Sequence, residues 1–275
     1  MGGRQFTIDQ QLVSNLHLEL AQKGLQAGQT LSMEITGLPH HSATPRNIAA
    51  NAVMAGCRVD YMPVLIAAVE ALSAKEFNLQ GIQATTNPVA VWLLVNGPIA
   101  EQLGVNGGMN CLGQGTVANA TLGRALRLIL QNIGGALPGD MDRATHGQPG
   151  KFSFCCAENE AQSPWDALHV ERGYKRNQST VTVIAAAGTH NLNTHADNAD
   201  ELIKVIADTM AFPASNDYWI GGEPWLVLGL RRSWRWTPGL ACRRSAPRPA
   251  ATRKARRASA ASPPQVSAAL RNLGV

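Results

Sequence analysis

Four stretches of the chain gather residues capable of chemistry. The first is Asn106-Gly-Gly-Met-Asn-Cys-Leu-Gly-Gln-Gly-Thr-Val-Ala118. Its glycines, Gly107, Gly108, Gly113 and Gly115, together with Asn106, would let a ligand approach the backbone. They also lead into a helix whose free N–H groups attract a phosphate or carboxylate. Cys111 sits in the same loop, where the positive end of that helix would favour a thiolate. Cys57, between Gly56 and Arg58 at an expected helix end, is a second candidate thiol. The third stretch, Ala157 to Gly173, is the densest polar cluster of the sequence. In extended backbone Glu158 and Glu160 would point the same way, as would His169 and Glu171, offering a general base, a metal ligand set or a clamp for a basic substrate. The fourth, Ala187-Gly-Thr-His-Asn-Leu-Asn-Thr-His195, follows a strand-like run and places His190 and His195 at a strand's carboxyl end, where ligands bind in open α/β sheets.

Each of these has a plain structural counterpart: a glycine-rich connection without a ligand, small buried cysteines, a solvated loop with Trp165 packed on the core. The pattern Gly113-x-Gly115-x-x-Ala118 matches part of a dinucleotide fingerprint, but no strand runs straight into it and the following acidic residue, Asp140, lies beyond the helix. No cofactor is therefore assigned. His169, Glu171, His190 and His195 suit zinc or iron by type, yet their spacing matches no standard metal motif.

The elements that must position these groups read from apolar periodicity. Helices are predicted at about Pro45–Ala55, Pro63–Ala74, Thr116–Asn132 and Asp197–Met210, with a weaker one over Asp9–Lys23. Strands are predicted at Leu79–Thr85, Val91–Val95, Phe152–Ala157, Val181–Ala187 and Trp225–Leu228. Their alternation with helices implies an α/β fold with a mostly parallel sheet and helices on both faces. Residues 1–45 form a poorly patterned lead-in. The α/β domain spans 46–229, in one piece or in two halves meeting near the Gly139–Gly150 loop.

Composition bounds the function. At 275 residues, 45% hydrophobic and 16% charged, the chain has enough apolar material for one or two cores and does not read as wholly disordered. No apolar run reaches the roughly 18 residues of a membrane helix, and the start lacks a secretory pattern, so a cytoplasmic protein with no membrane association is expected. Five cysteines form no disulfide framework or paired metal motif. The net charge of +5 is uneven. Residues 230–275 hold ten Arg, one Lys and no acid, which leaves the first 229 residues at −6. This tail reads as disordered and basic. It is either an arm for phosphate backbones, a solvated extension, or the product of a shifted reading frame in a GC-rich gene, the last being favoured.

Several motifs carry a resemblance. They are Asn51-Ala-Val-Met-Ala-Gly-Cys57, Ile82-Gln-Ala-Thr-Thr-Asn-Pro88, Val95-Asn-Gly-Pro-Ile99, Gly123-Arg-Ala-Leu-Arg-Leu-Ile-Leu130, Gly147-Gln-Pro-Gly-Lys-Phe152 and the Ala157 to Gly173 run. Over about residues 48–228 they resemble an uncharacterised bacterial protein family often encoded beside small proteins carrying a UGSC (selenocysteine/cysteine) motif. The resemblance implies a small thiol or selenol redox protein as a partner to consider. Both ends of the chain depart from it.

Together these readings predict a small-molecule enzyme, or a subunit of one, with thiol-linked chemistry on a small anionic substrate. Cys57 or Cys111 would be the thiol, Glu158, Glu160, His169 and His190 the acid/base groups, and Arg124 or Arg172 the holder of a substrate charge. A metal-dependent hydrolase or lyase and a non-catalytic scaffold for a small redox protein are the alternatives. Nucleic acid would be a partner only through the tail.

Overall fold

Pro45 opens the first helix because its missing N–H is not needed there, and Gly56 ends it in the left-handed conformation with its N–H turned back onto the last carbonyls. This helix, α1, is Pro45–Ala55, capped by the Thr44 side chain accepting from Asn47 N. It belongs to a computed structural model that describes residues 31–32, 42–192, 194–195, 198–210, 225–232 and 235–244. The chain separates into two compact units, residues 1–188 with 229–241 and residues 189–228 with 242–275. The Gly139–Gly150 loop lies inside the first. The Asp9–Lys23 segment and residues 245–275 of the basic tail fall outside the described residues.

In the first unit, α2 (Met62–Ser73) buries Val64, Leu65, Ala68, Val69 and Leu72, the face its periodicity predicts. Strand β3 (Ala90–Asn96) follows two short strands, β1 (Leu31–Ser32) and β2 (Ser42–Ala43), that pair antiparallel. Helix α5 (Val117–Asn132) supplies Leu122, Leu126 and Ile129, all within 2% of complete burial and worth about 2 kcal/mol each. These helices share one core with Leu93 and Val95 of β3, Cys155 and Ala157 of β4 (Cys155–Ala157), and the half-buried Val181 and Val183 of β5 (Thr180–Ala186). On the opposite face Trp92 stacks on Phe154 with ring centroids 5.4 Å apart.

The sheet has the order β4-β3-β5. Its β3–β4 pairing is parallel and its β3–β5 pairing antiparallel, so the expectation of a mostly parallel sheet gives way to a small mixed one. Between β4 and β5 the α-helix is α6, Leu168–Glu171 alone, and β5 returns alongside β3 in the opposite sense.

Two predicted strands also change. Leu79–Thr85 is a helix, α3 (Leu79–Ala84), because Asn78 takes a left-handed conformation and its side chain accepts from Gly81 N, an N-cap that buries Leu79 and Gln83 one turn apart. Phe152–Ala157 is extended only from Cys155, since a 3₁₀ turn at Pro149–Lys151 occupies the approach. Helix α4 (Pro98–Leu103) follows β3 directly. In the second unit, α7 is Ala199–Met210. Strands β6 (Trp225–Arg232) and β7 (Arg235–Arg244) form a two-stranded sheet. Among the described residues no helix is long and apolar enough to cross a membrane.

The segment entering β4 is held by an ion cluster. Asp142 receives Arg127 Nη2 of α5 at 2.5 Å and Lys151 Nζ at 2.7 Å, with all three side chains at most 11% exposed. Arg127 also donates to Gln83 Oε1 and Ala136 O, tying α3, α5 and the loop together. Burial opposes ionisation of Asp142. The hydrogen bonds from Lys151 and Ala144 N, with the Lys151 and Arg127 charges, outweigh it and hold the carboxyl below its usual value. Its stabilisation is therefore present above the unfolded value of about 4 and is lost as pH falls through the lower folded value. Asp142→Asn should lower stability at pH 7 by about 3 kcal/mol, because it leaves two buried cations without their counter-charge. Urea denaturation of both proteins at pH 7 and pH 3 checks this, and the difference should narrow at the lower pH.

Candidate acid-base site

Parallel pairing places the carboxyl ends of β3 and β4 side by side, and the candidate site grows from those two ends. Asn96 is the last residue of β3, and Glu158 follows the last residue of β4 with its N–H donating to Val95 O. Both are buried, Asn96 completely. Asn96 Nδ2 donates to Glu158 Oε2 at 2.6 Å and to Glu160 Oε1 at 3.0 Å, so one amide bridges two carboxylates. Gly97 N adds a third donor, 2.6 Å from Glu160 Oε1. Gly97 has φ of +84°, and a Cβ there would come within 2.3 Å of Gln178 O, so this donor depends on glycine.

Glu158 does a second task. Its Oε2 accepts from Leu168 N at 2.8 Å and so anchors the first turn of α6, whose next residue is His169. The His169 ring is fully buried, with Nδ1 3.6 Å from Glu160 Oε1. Neither ring nitrogen has a hydrogen-bond partner, and neither does Asn96 Oδ1. Buried polar atoms are nearly always satisfied, and each orphan costs on the order of 1–3 kcal/mol. All three belong to residues beside Glu160, which accepts from Asn96 and lies 3.6 Å from His169 Nδ1. Solvent reaches the cluster through Glu160, whose side chain is 23% exposed.

The glycine-rich loop is organised around Asn119. Asn119, on the first turn of α5, accepts from Asn106 N and Thr116 Oγ1 and donates to the carbonyls of Asn106, Cys111 and Cys155. Gly108 N donates to the Asn106 side chain, Cys111 N to Gly108 O, and Gly113 and Gly115 N to Asn110 O. These four donors are engaged within the loop. Gly107 packs against β4 so tightly that a Cβ would lie 2.7 Å from Ala157 O.

Arg124 stacks its guanidinium 4.3 Å from the Phe152 ring centre. Arg172 is exposed and donates to Thr182 Oγ1, and Glu171 is exposed. His190 and His195 are exposed residues of the second unit. Among the described residues no three His, Cys, Asp or Glu side chains converge as a metal site. Of the expected acid/base groups, the structure gathers Glu158, Glu160 and His169. It adds Asn96, which the periodicity analysis passed over as the end of an apolar strand; a polar residue closing such a run before Gly97-Pro98 was the available signal.

The thiols differ sharply. Cys57 donates to Thr121 O at 3.3 Å, and burial pushes it up to about 11. Burial raises Cys155 further still. Cys111 is held below the usual thiol value, first by a hydrogen bond from the Cys156 thiol and then by the N–H groups of Cys111 and Leu112. Burial keeps Cys156 protonated. At pH 8 only about one Cys57 in a thousand is thiolate. Alkylation with iodoacetamide followed by peptide mapping should therefore label Cys111 first, with Cys57 labelling rising tenfold per pH unit up to about pH 11.

No protein-family model, curated protein or solved structure matches this chain.

Proposed function

We infer that the protein is a small-molecule enzyme whose chemistry is proton transfer, of the kind used by isomerases and lyases, centred on Glu160 and His169. The observation that carries this reading is the buried His169 ring with both nitrogens unbonded, 3.6 Å from a carboxylate that solvent reaches. Glu160 exchanges a proton with the substrate at its open side, and His169 takes it up or returns it. The Asn96 amide and Gly97 N–H hold the Glu160 oxygen in place. Glu158 is a positioning residue: it fixes Asn96 on one side and the start of α6, hence His169, on the other.

The solvent-reached group of the site is an acceptor, the Glu160 carboxylate, and this favours a substrate presenting a hydrogen-bond donor, such as an amine or hydroxyl. This substrate class differs from the anionic one expected at the glycine-rich loop.

The test is turnover. A compound consumed by wild-type protein from a small-metabolite mixture should be processed at least about 100-fold more slowly by Glu160→Gln, with thermal stability retained. Cys57→Ser should leave the rate unchanged. The reading fails if Glu160→Gln and His169→Asn both turn over at the wild-type rate, or if wild-type protein consumes nothing in the mixture.

A further inference from the structure

The fold treats the two oxygens of Glu160 differently. Oε1 is crowded: Gly97 N donates to it at 2.6 Å and Asn96 Nδ2 at 3.0 Å, with His169 Nδ1 3.6 Å away. Oε2 has no hydrogen-bond partner among the described residues and is not among the buried polar atoms left without one, so it is the oxygen that solvent reaches. Charge points the same way. Asn96 Nδ2 donates to Glu158 as well, so two carboxylates use one donor. Among the described residues no Lys or Arg nitrogen lies within 4 Å of Glu160. Its one ion-pair partner in range, His169, is 1% exposed and has neither ring nitrogen hydrogen-bonded. A largely buried carboxylate with no fixed cation beside it is costly to hold, and a ligand that brings positive charge relieves that cost.

We propose that the site takes a protonated aliphatic amine, whose ammonium N–H donates to Glu160 Oε2. The inference rests on the reading of Glu160 as the substrate-facing group, and it selects the amine from the two donors, amine and hydroxyl, that this reading allows. Charge decides between them. A hydroxyl satisfies the open oxygen but leaves the carboxylate's charge in place, whereas an ammonium does both, and a charge-assisted hydrogen bond is about twice as strong as a neutral one. A carboxylate or phosphate brought to the same oxygen meets Glu160 and Glu158 as like charges. A calcium or magnesium ion requires about six oxygen ligands. Here Glu160 Oε1 and Glu158 Oε2 already accept two N–H groups each, and among the described residues no three His, Cys, Asp or Glu side chains converge as a metal site.

The experiment is saturation-transfer NMR on the native full-length chain at neutral pH, with butylammonium as the probe. Comparison probes are 1-butanol, butyrate and tetramethylammonium, and the competitors are potassium and magnesium chloride at matched ionic strength. Butylammonium should bind, and 1-butanol, butyrate and tetramethylammonium, which has no N–H, should bind at least about tenfold more weakly. This series is read on the wild-type chain and needs no variant. Glu160→Gln, with thermal stability retained, should weaken butylammonium binding at least about tenfold. Asp166→Asn, which removes an exposed carboxylate of the same stretch paired with Arg176, should leave it unchanged. The proposal is overturned by absence of butylammonium binding, by equal binding of any comparison probe, by displacement with potassium or magnesium, or by undiminished binding to Glu160→Gln. Binding is read without turnover, so the two readings fail separately. Amine binding at Glu160 with equal turnover by wild type, Glu160→Gln and His169→Asn removes the acid-base reading alone. Glu160-dependent turnover of a compound without an amine removes the present one alone.

Discussion

A single side-chain amide, that of Asn119, sets the geometry on which the rest of the first unit depends. It is 1% exposed and bonded to the backbone of the glycine-rich loop at Asn106 and Cys111, to strand β4 at Cys155 and to Thr116 at the helix start. A helix terminus, a surface loop and an edge strand are otherwise independent pieces. Buried together with one carboxamide, they have one arrangement in which its donors and acceptor are all satisfied, and departures leave an unpaired polar group in the core.

What this arrangement exposes is the end of the sheet. Parallel strands deliver their carboxyl ends to one side, and here those ends are polar: Asn96 from β3 and Glu158 just beyond β4. Two carboxylates brought to one amide would repel each other in a dry site. The donors from Asn96, Gly97 and Leu168 offset that repulsion, and the partial exposure of Glu160 lets water screen the remainder. The charge is thus concentrated where solvent and solutes can meet it, while the imidazole stays inside.

Much of this was legible from the chain. The helices α1, α2, α5 and α7 and the strands β3 and β5 follow from apolar period and from Pro and Gly at their ends. Glu158, Glu160 and His169 stood out as a polar cluster between apolar elements. The failures share a physical cause. Leu79 to Ala84 is a run too short for its period to separate a turn of helix from a strand, and the deciding group, the left-handed Asn78, is invisible to a periodicity count. The antiparallel sense of β5 rests on its register with β3, from Ala90 beside Ala186 to Asn96 beside Thr180, which no local pattern encodes. Asn96 and Asn119 matter through contacts with residues distant along the chain, and no local pattern encodes those. The Asn106 and Gly108 N–H groups of the loop are engaged by the Asn119 and Asn106 side chains, an arrangement a glycine count alone does not convey.

The Asn96–Glu158 hydrogen bond joins residues 62 positions apart. Closing so long a segment is entropically costly even with α4 and α5 formed within it, and chains rich in such contacts fold slowly. The acidic centre therefore exists only after β3 has found β4. A partly folded chain can hold its helices and still lack the centre. The centre is a late product of folding, and its formation is a sensitive indicator that the native strand order has been reached.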